Sequence, residues 1–238
     1  HPVTAADCAF FLTAENGLPV QDEKGSFVLD EEAVTAYVQS LAEEYDGYGR
    51  TRQFHSTRGD VITIDGGTYG SKMDRKKETA YLLEHLLDPG VHTGTPQSHI
   101  PSYEREAFCY GKNDIGDTYI EVDMTEQKMY YYEKGVLKLE TEIVTGNMRR
   151  RMGTPEGVNF VYNKQKNRVL RGPGYASPVK FWMPVKGGIG IHDAGWRKEF
   201  GGDIYQTAGS HGCINTPKDK MEELFDCVQI GTPVVMFY

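Results

Sequence analysis

Apolar residues recur along this chain in two rhythms, and the change from one to the other falls near its middle. In the first half, Val34, Tyr37, Val38, Leu41 and Tyr45 keep helical spacing behind Asp30, a good N-cap, until Asp46-Gly47 ends the pattern. A second helical pattern starts at Asp74, runs through Leu82, Leu83, Leu86 and Leu87, and stops at Asp88-Pro89-Gly90. Between the two, Val61-Ile62-Thr63-Ile64 predicts a strand entering the turn Asp65-Gly66-Gly67-Thr68-Tyr69-Gly70. Gly66-Gly67 lacks the flanking residues of a phosphate-binding loop and reads as a plain turn.

From Thr118 the period shortens to two. Ile120, Val122 and Met124 alternate with Tyr119, Glu121 and Asp123, as a strand with one buried face requires. Turns at Thr125-Glu126-Gln127 and Glu133-Lys134-Gly135 lead into strands over 128–132 and 136–144, and two more short strands are predicted at 158–162 and 234–237. One helix interrupts this half: Met221, Leu224, Phe225 and Val228 share a face over 217–229, with Thr216 placed to cap it and Pro217 suited to its first position. The expected fold is therefore an α+β N-terminal domain, 1–112, followed by a β-rich domain, 113–238, built as an antiparallel sandwich or distorted barrel.

Length and charge support that division. A chain of 238 residues is long for one domain. Residues 1–112 hold 10 Lys+Arg against 18 Asp+Glu, whereas residues 113–238 hold 16 against 16, so the net charge of −8 resides in the first half. That balance argues against nucleic acid as a partner. The dense basic stretch, Arg149-Arg150-Arg151 with Lys164, Lys166, Arg168 and Arg171, reads by default as solvated loop. The alternative is attraction of carboxylates by guanidinium. His92 and His99, in a polar Gly/Pro segment, read as solvated loop residues. The chain carries no apolar run of about 18 residues, so membrane attachment is expected only through an anchor preceding His1.

The candidate chemistry lies in Ser210-His211-Gly212-Cys213-Ile214-Asn215, with His192 standing 21 residues before Cys213. A cysteine is nucleophilic only as thiolate, and so needs an imidazole or a positive dipole nearby. Cys213 precedes the predicted helix start closely enough for its dipole to help. A His-Gly-Cys run between Ser and Asn has no apolar periodicity and makes a poor core segment. Cys109 and Cys227, among apolar residues, read instead as small buried hydrophobes. His-x-Cys is too tight for the usual structural zinc pairs, so no metal site is expected.

The pattern His192, then 17 residues, then Ser210 to Asn215 resembles the signature of the L,D-transpeptidase (YkuD-type) catalytic domain. Thr145-Gly146, Gly153-Thr154-Pro155-Glu156-Gly157 and Phe181-Trp182-Met183-Pro184 match in order, so the resemblance covers roughly 114–238. The block before it resembles the peptidoglycan-binding domain found ahead of some Gram-positive members; the alternative is a spacer with no ligand. Asp193 follows the first histidine, where many members carry Ser.

The resemblance implies a cysteine acyltransferase of the cell wall, extracytoplasmic, without metal or organic cofactor. Its substrates would be peptidoglycan stems, a tetrapeptide donor and an amine acceptor. Cys213 would attack the third stem residue, releasing D-Ala and giving a 3→3 cross-link, with His192 as the proton carrier. Asp193 or a neighbouring carbonyl would orient His192, Gly212 and Cys213 would supply an oxyanion hole, and Ser210 and His211 would position the donor. Trp182, Met183, Gly195, Trp196 and Asn215 would contact substrate. The alternatives are resolution of the same thioester by water, an L,D-carboxypeptidase, and a non-catalytic wall-binding module. A Cys8–Cys109 disulfide is conceivable in that compartment.

Overall fold

A computed structural model describes residues 10–15, 18–87, 99–172 and 174–238. They form two compact units, one from the described residues of His1–Asp46 and Ser71–Glu106, the other from Gly47–Gly70 and Ala107–Tyr238. Residues 47–70, which precede the charge boundary near 112, thus belong with the β-rich unit. Cys8 lies outside the described residues, and Cys109 is free.

The first unit is two capped helices with two short strand pairs, of which the second is β5 (Lys72–Met73) with β6 (Tyr103–Arg105). After the hairpin β1 (Ala14–Glu15) and β2 (Leu18–Pro19) comes α1 (Glu31–Tyr45), whose N-cap Asp30 accepts from Ala33 N at 3.0 Å. The second helix, α2 (Arg75–His85), is capped by Asp74 accepting from Lys77 N at 3.2 Å. The expected apolar faces meet: Val34 with Leu82, Leu83 and Leu86, and Val38 and Ala42 with Leu82 and Met73. No described helix is long and apolar enough to cross a membrane.

The second unit stacks two open sheets. The larger has the order β10 (Gly157–Phe160), β15 (Pro233–Phe237), β7 (Tyr119–Asp123), β8 (Lys128–Glu133), β9 (Val136–Glu142). The smaller has the order β11 (Gln165–Gly172), β12 (Tyr175–Lys186), β13 (Ile189–Asp193), β14 (Ile214–Thr216). Neither closes on itself, so of the two expected architectures the sandwich is the one found. Two pairings are parallel, β15 with β7 and β13 with β14.

The main core fills the space between the sheets. Ile120, Val122, Met129, Val234 and Met236 come from the larger sheet, Phe181, Met183, Val185, Ile191 and Ile214 from the smaller. The helix α4 (Lys218–Cys227), which follows the short α3 (Ile204–Ala208), adds Met221, Leu224 and Phe225. Its start is one residue later than expected. Thr216 stays extended to pair with Asp193, Pro217 takes the N-cap position, and no side chain caps the helix. Cys227 falls off the apolar face and is exposed, which corrects the expectation that it is buried.

The other face of the larger sheet was expected to be wet, because Tyr119, Glu121 and Asp123 are polar. Instead Glu121 and Asp123 are buried. The hairpin β3 (Arg52–His55) and β4 (Val61–Ile64) covers them, placing Phe54 and Ile64 against Val235, Phe237 and Tyr119. Glu121 accepts from Thr57 N at 2.8 Å and Thr57 Oγ1 at 2.7 Å, and Arg58 reaches Asp123 at 3.0 Å. The turn after β4 comes so close to β10 that a Cβ on Gly67 would lie 2.0 Å from Val158 O. That close approach explains the paired glycines, and β15 becomes a strand buried on both faces.

Beneath the hairpin, Arg52 grips Asp114 through two bonds, Nε to Oδ1 at 2.8 Å and Nη2 to Oδ2 at 2.6 Å, with both side chains buried. Removing one partner of such a pair strands a charge in low dielectric, at a cost of about 3–5 kcal/mol. Arg52→Met is expected to lower the unfolding free energy by that amount in urea titration. A loss under about 1 kcal/mol would mean the pair does not anchor the hairpin.

Candidate active site

Strand alternation builds the site. On the smaller sheet, Phe181, Met183, Ile191 and Ile214 point into the core, so their neighbours Trp182, Gly190, His192, Cys213 and Asn215 take the outer face. Register does the rest. β13 and β14 pair in parallel with His192 opposite Asn215, and β12 sets Trp182 opposite His192. Cys213, just before β14, falls opposite Gly190, whose N–H donates to the thiol, and Sγ lies 3.7 Å from Gly188 O. His192 is two residues farther along the same strand and face, a step of roughly 6–7 Å.

Met183, expected at the substrate, is turned away from the outer face. It is fully buried and packs in the core, because period-two alternation allows only one of Trp182 and Met183 to face outward. Trp182 does face outward and lines a cleft of about 680 Å³, with Tyr162, Gln165, Arg168, Arg171 and Cys213 among its other walls. Gly195 and Trp196 are exposed, and the Trp196 ring lies 5.8 Å from that of His192. His211 is exposed beside the cysteine.

The loop that presents Cys213 is fastened on both sides. Ser210 Oγ donates to Cys213 O at 2.5 Å and accepts from Gly212 N at 3.0 Å. Thr154 Oγ1 donates to Gly212 O at 2.8 Å and accepts from Gly146 N at 2.9 Å. Gly212 has φ +114°, a conformation that disfavours any side chain. Of the two N–H groups expected to form an oxyanion hole, that of Gly212 donates to Ser210 Oγ in this structure. The Thr145-Gly146 and Gly153-Thr154 segments are thus braces for the cysteine loop.

The orientation of His192 follows from donors and acceptors alone. Nδ1 lies 2.9 Å from Asp193 O, which can only accept, so Nδ1 carries the proton. On the other side Arg197 can only donate. The Asn215 amide is therefore oriented with Oδ1 toward Arg197 Nε at 2.6 Å and Nδ2 toward His192 Nε2 at 3.2 Å. Nε2 accepts, and the ring is neutral. Arg197 was not singled out in the sequence, and Asn215, expected at the substrate, is buried between it and His192.

The carboxylate of Asp193 has a different task. Its Oδ1 accepts from Phe181 N at 2.7 Å, tying β13 to β12. The residue orients His192 through its backbone carbonyl, not through its side chain.

Burial between Trp182 and Trp196 lowers the His192 pKa, opposed by the bond to Asp193. Burial raises that of Cys213, opposed by Gly190 N–H. Both shifts favour the uncharged forms, a neutral thiol beside a neutral imidazole. The helix dipole expected to help the thiolate does not prevail: α4 begins five residues beyond Cys213, and the effect fades within a turn.

The described residues hold no cluster of three or more His, Cys, Asp or Glu side chains arranged to bind a metal ion. What the outer face offers is a thiol, a base with its lone pair on Nε2, and a cleft. That arrangement defines a cysteine acyl-transfer domain, and the comparisons name the family.

Residues 117–236 match the L,D-transpeptidase catalytic domain (YkuD), and residues 14–90 match the family described as "Putative peptidoglycan binding domain". The chain belongs to the L,D-transpeptidase family, enzymes of peptidoglycan cross-linking. Among solved structures, a cysteine-to-serine mutant of Enterococcus faecium L,D-transpeptidase is 37% identical over 98% of this chain and 90% of that one, with a TM-score of 0.81. An L,D-transpeptidase carbamoyl enzyme formed with avibactam is 39% identical over 92% and 85%, at 0.80. No curated protein sequence matches.

Two outcomes check this geometry. Asp193→Asn still offers an oxygen to Phe181 N and leaves the backbone carbonyl in place, so single-turnover acylation should stay within about twofold of the parent; Asp193→Ala should cost about 1–3 kcal/mol of stability. A tenfold rate loss in Asp193→Asn would return the orienting role to the carboxylate. Separately, mass-mapped alkylation of Cys213 should rise with pH through a midpoint above the usual thiol value of about 8.5. A plateau extending down to pH 5 would mean a standing thiolate–imidazolium pair.

Proposed function

We propose that Cys213 is the nucleophile and His192 the proton carrier of a transpeptidation that cleaves the bond between stem residues three and four. The observation that supports this most is the shared outer face: register sets the imidazole two residues beyond Gly190, the partner of Cys213, and the thiol lines a cleft. The cleft takes the donor stem, with Trp182 as a wall.

His192 Nε2 takes the thiol proton as Sγ attacks the carbonyl carbon of residue three. Asn215 Nδ2 occupies that lone pair at rest and yields it to the proton. The carbonyl π electrons move to oxygen, which Cys213 N–H stabilises. When the intermediate collapses, the C–N bond breaks and the D-Ala nitrogen takes the proton from Nε2. A thioester remains on Cys213. The side-chain amine of a second stem then attacks it, passes a proton to Nε2 and leaves an amide; the thiolate departs and is reprotonated. His192 begins and ends neutral, as the lowered pKa requires.

A donor stem and an amine acceptor are the partners this chemistry needs, and both belong to the cell wall. The proposed place of action is accordingly extracytoplasmic, in the wall or at the outer face of the membrane. The domain at 14–90 would hold the enzyme to peptidoglycan.

Intact mass spectrometry after incubation with a disaccharide tetrapeptide, with and without an amine acceptor, tests the proposal. An adduct lacking D-Ala should form and be discharged by the amine, and Cys213→Ala should abolish both steps while keeping the parent's unfolding profile. Turnover in Cys213→Ala would sink the assignment. A carbapenem should also acylate Cys213, its strained ring opening without need of a protonated leaving group. His192→Ala should therefore slow the peptide reaction more than the carbapenem reaction, and equal losses would remove the acid role from His192.

A further inference from the structure

The hydrogen bonds that set the His192 tautomer oppose the charged ring through which the reaction must pass. At rest Nδ1–H donates to Asp193 O, and the Asn215 amide points Nδ2 at the Nε2 lone pair, 3.2 Å away. Once Nε2 has taken the thiol proton, two N–H donors confront each other across that gap. Rotating the amide would relieve the conflict, because Oδ1 would then accept from Nε2–H. Both ring protons would have acceptors, and the imidazolium would be stabilised.

Arg197 stands in the way of that rotation. Its Nε lies 2.6 Å and its Nη2 3.3 Å from Asn215 Oδ1, and Nη2 also donates to Ala208 O at 2.9 Å. Turning the amide would aim Nδ2 at the guanidinium, setting donor against donor there as well. Among the described residues no carboxylate pairs with Arg197, whose own pKa burial alone lowers. Burial likewise lowers the His192 pKa; the Asp193 carbonyl and carboxylate oppose it, and the Arg197 charge lowers it further. The other titratable group on that face is the Cys213 thiol. Strands β12 and β14 contribute Trp182 and Asn215, which do not titrate.

We propose that Arg197 is a positioning residue for proton release: through Asn215 it keeps a donor facing His192 Nε2, so that the protonated ring gives its proton up instead of retaining it. On the transpeptidase reading, which this rests on, the recipient is the D-Ala nitrogen. The C–N bond breaks, its electron pair stays on that nitrogen and takes up the proton from Nε2. The ring regains its lone pair, and Asn215 Nδ2 returns to it.

The ring is observed by nitrogen NMR in Cys213→Ala protein, where no thiol titrates beside it. His192 should carry its proton on Nδ1 and gain a second only at a midpoint below the usual histidine value of about 6.5. Arg197→Met frees the amide to turn, and the midpoint should rise by about one to two pH units, as a hydrogen bond to a charged group allows. Arg197→Lys, which keeps a charged donor, should restore most of the difference. Asn215→Asp, a fixed acceptor with Arg197 in place, should raise the midpoint too. With Asn215→Ala added, Arg197→Met should move it by less than about half a pH unit. An unmoved midpoint in Arg197→Met or Asn215→Asp overturns the inference. So does an equal rise without Asn215, since Arg197 would then act by charge alone. Single-turnover acylation with Cys213 intact, run above each protein's midpoint, is the separate arm. Arg197→Met should slow the tetrapeptide about tenfold and the carbapenem less than about twofold; equal losses remove Arg197 from proton release. If the midpoints move as expected and the parent protein never acylates a tetrapeptide, the orienting role stands and the transpeptidase reading falls.

Discussion

The parallel pairing of β13 with β14 is the constraint on which the site depends. Parallel neighbours cannot be joined by a tight turn, so the chain must leave the sheet after Asp193 and return at Ile214. That excursion carries Trp196, Arg197 and α3, and it delivers Cys213 at the point where the chain re-enters the sheet. One register then places Asn215 against His192 and Gly190 against Cys213. A slip of one residue would turn Cys213 and Asn215 into the core and Ile214 out of it. The fully buried Ile214 and Ile191, side by side on the opposite face, make such a slip expensive. The core therefore holds the chemistry in register.

Much of this was legible in the chain because local rules were obeyed. Asp30 and Asp74 cap helices as their positions suggest; β7 and β9 fall within the predicted runs, and β8 and β15 exceed theirs by one residue each. The cysteine loop was identifiable because a His-Gly-Cys run has no reason to be core. What escaped was set by distant contacts. β11 reads as a charged loop, since Gln165-Lys166-Asn167-Arg168 shows no buried face; it is a strand only because β12 pairs with it. Glu121 and Asp123 read as solvent-facing, and only the arrival of residues 52–64 buries them. Met183 and Trp182 could not be told apart, because alternation reveals two faces without saying which one is the core.

The electrostatics carry their own lesson. A helix start and a histidine near a cysteine suggest an ion pair, yet burial acts on both groups in the opposite sense. Desolvation penalises the thiolate and the imidazolium separately, and the Gly190 N–H is a modest counterweight. The resting thiol and imidazole are consequently both uncharged.

The orienting chain of His192 shows how far such a site depends on residues that touch no substrate. Arg197 donates to Asn215 Oδ1, which turns Nδ2 to Nε2; Asp193 O takes the proton on Nδ1. Each link is fixed by the one before it, since arginine cannot accept and a carbonyl cannot donate. The tautomer thus begins at a guanidinium that also holds Ala208 O at the end of α3. The crossover that the parallel pairing demands supplies that guanidinium. Topology and tautomer are in this sense one constraint: without the crossover there would be no Arg197 to set Asn215, and the lone pair on His192 Nε2 would be left undefined.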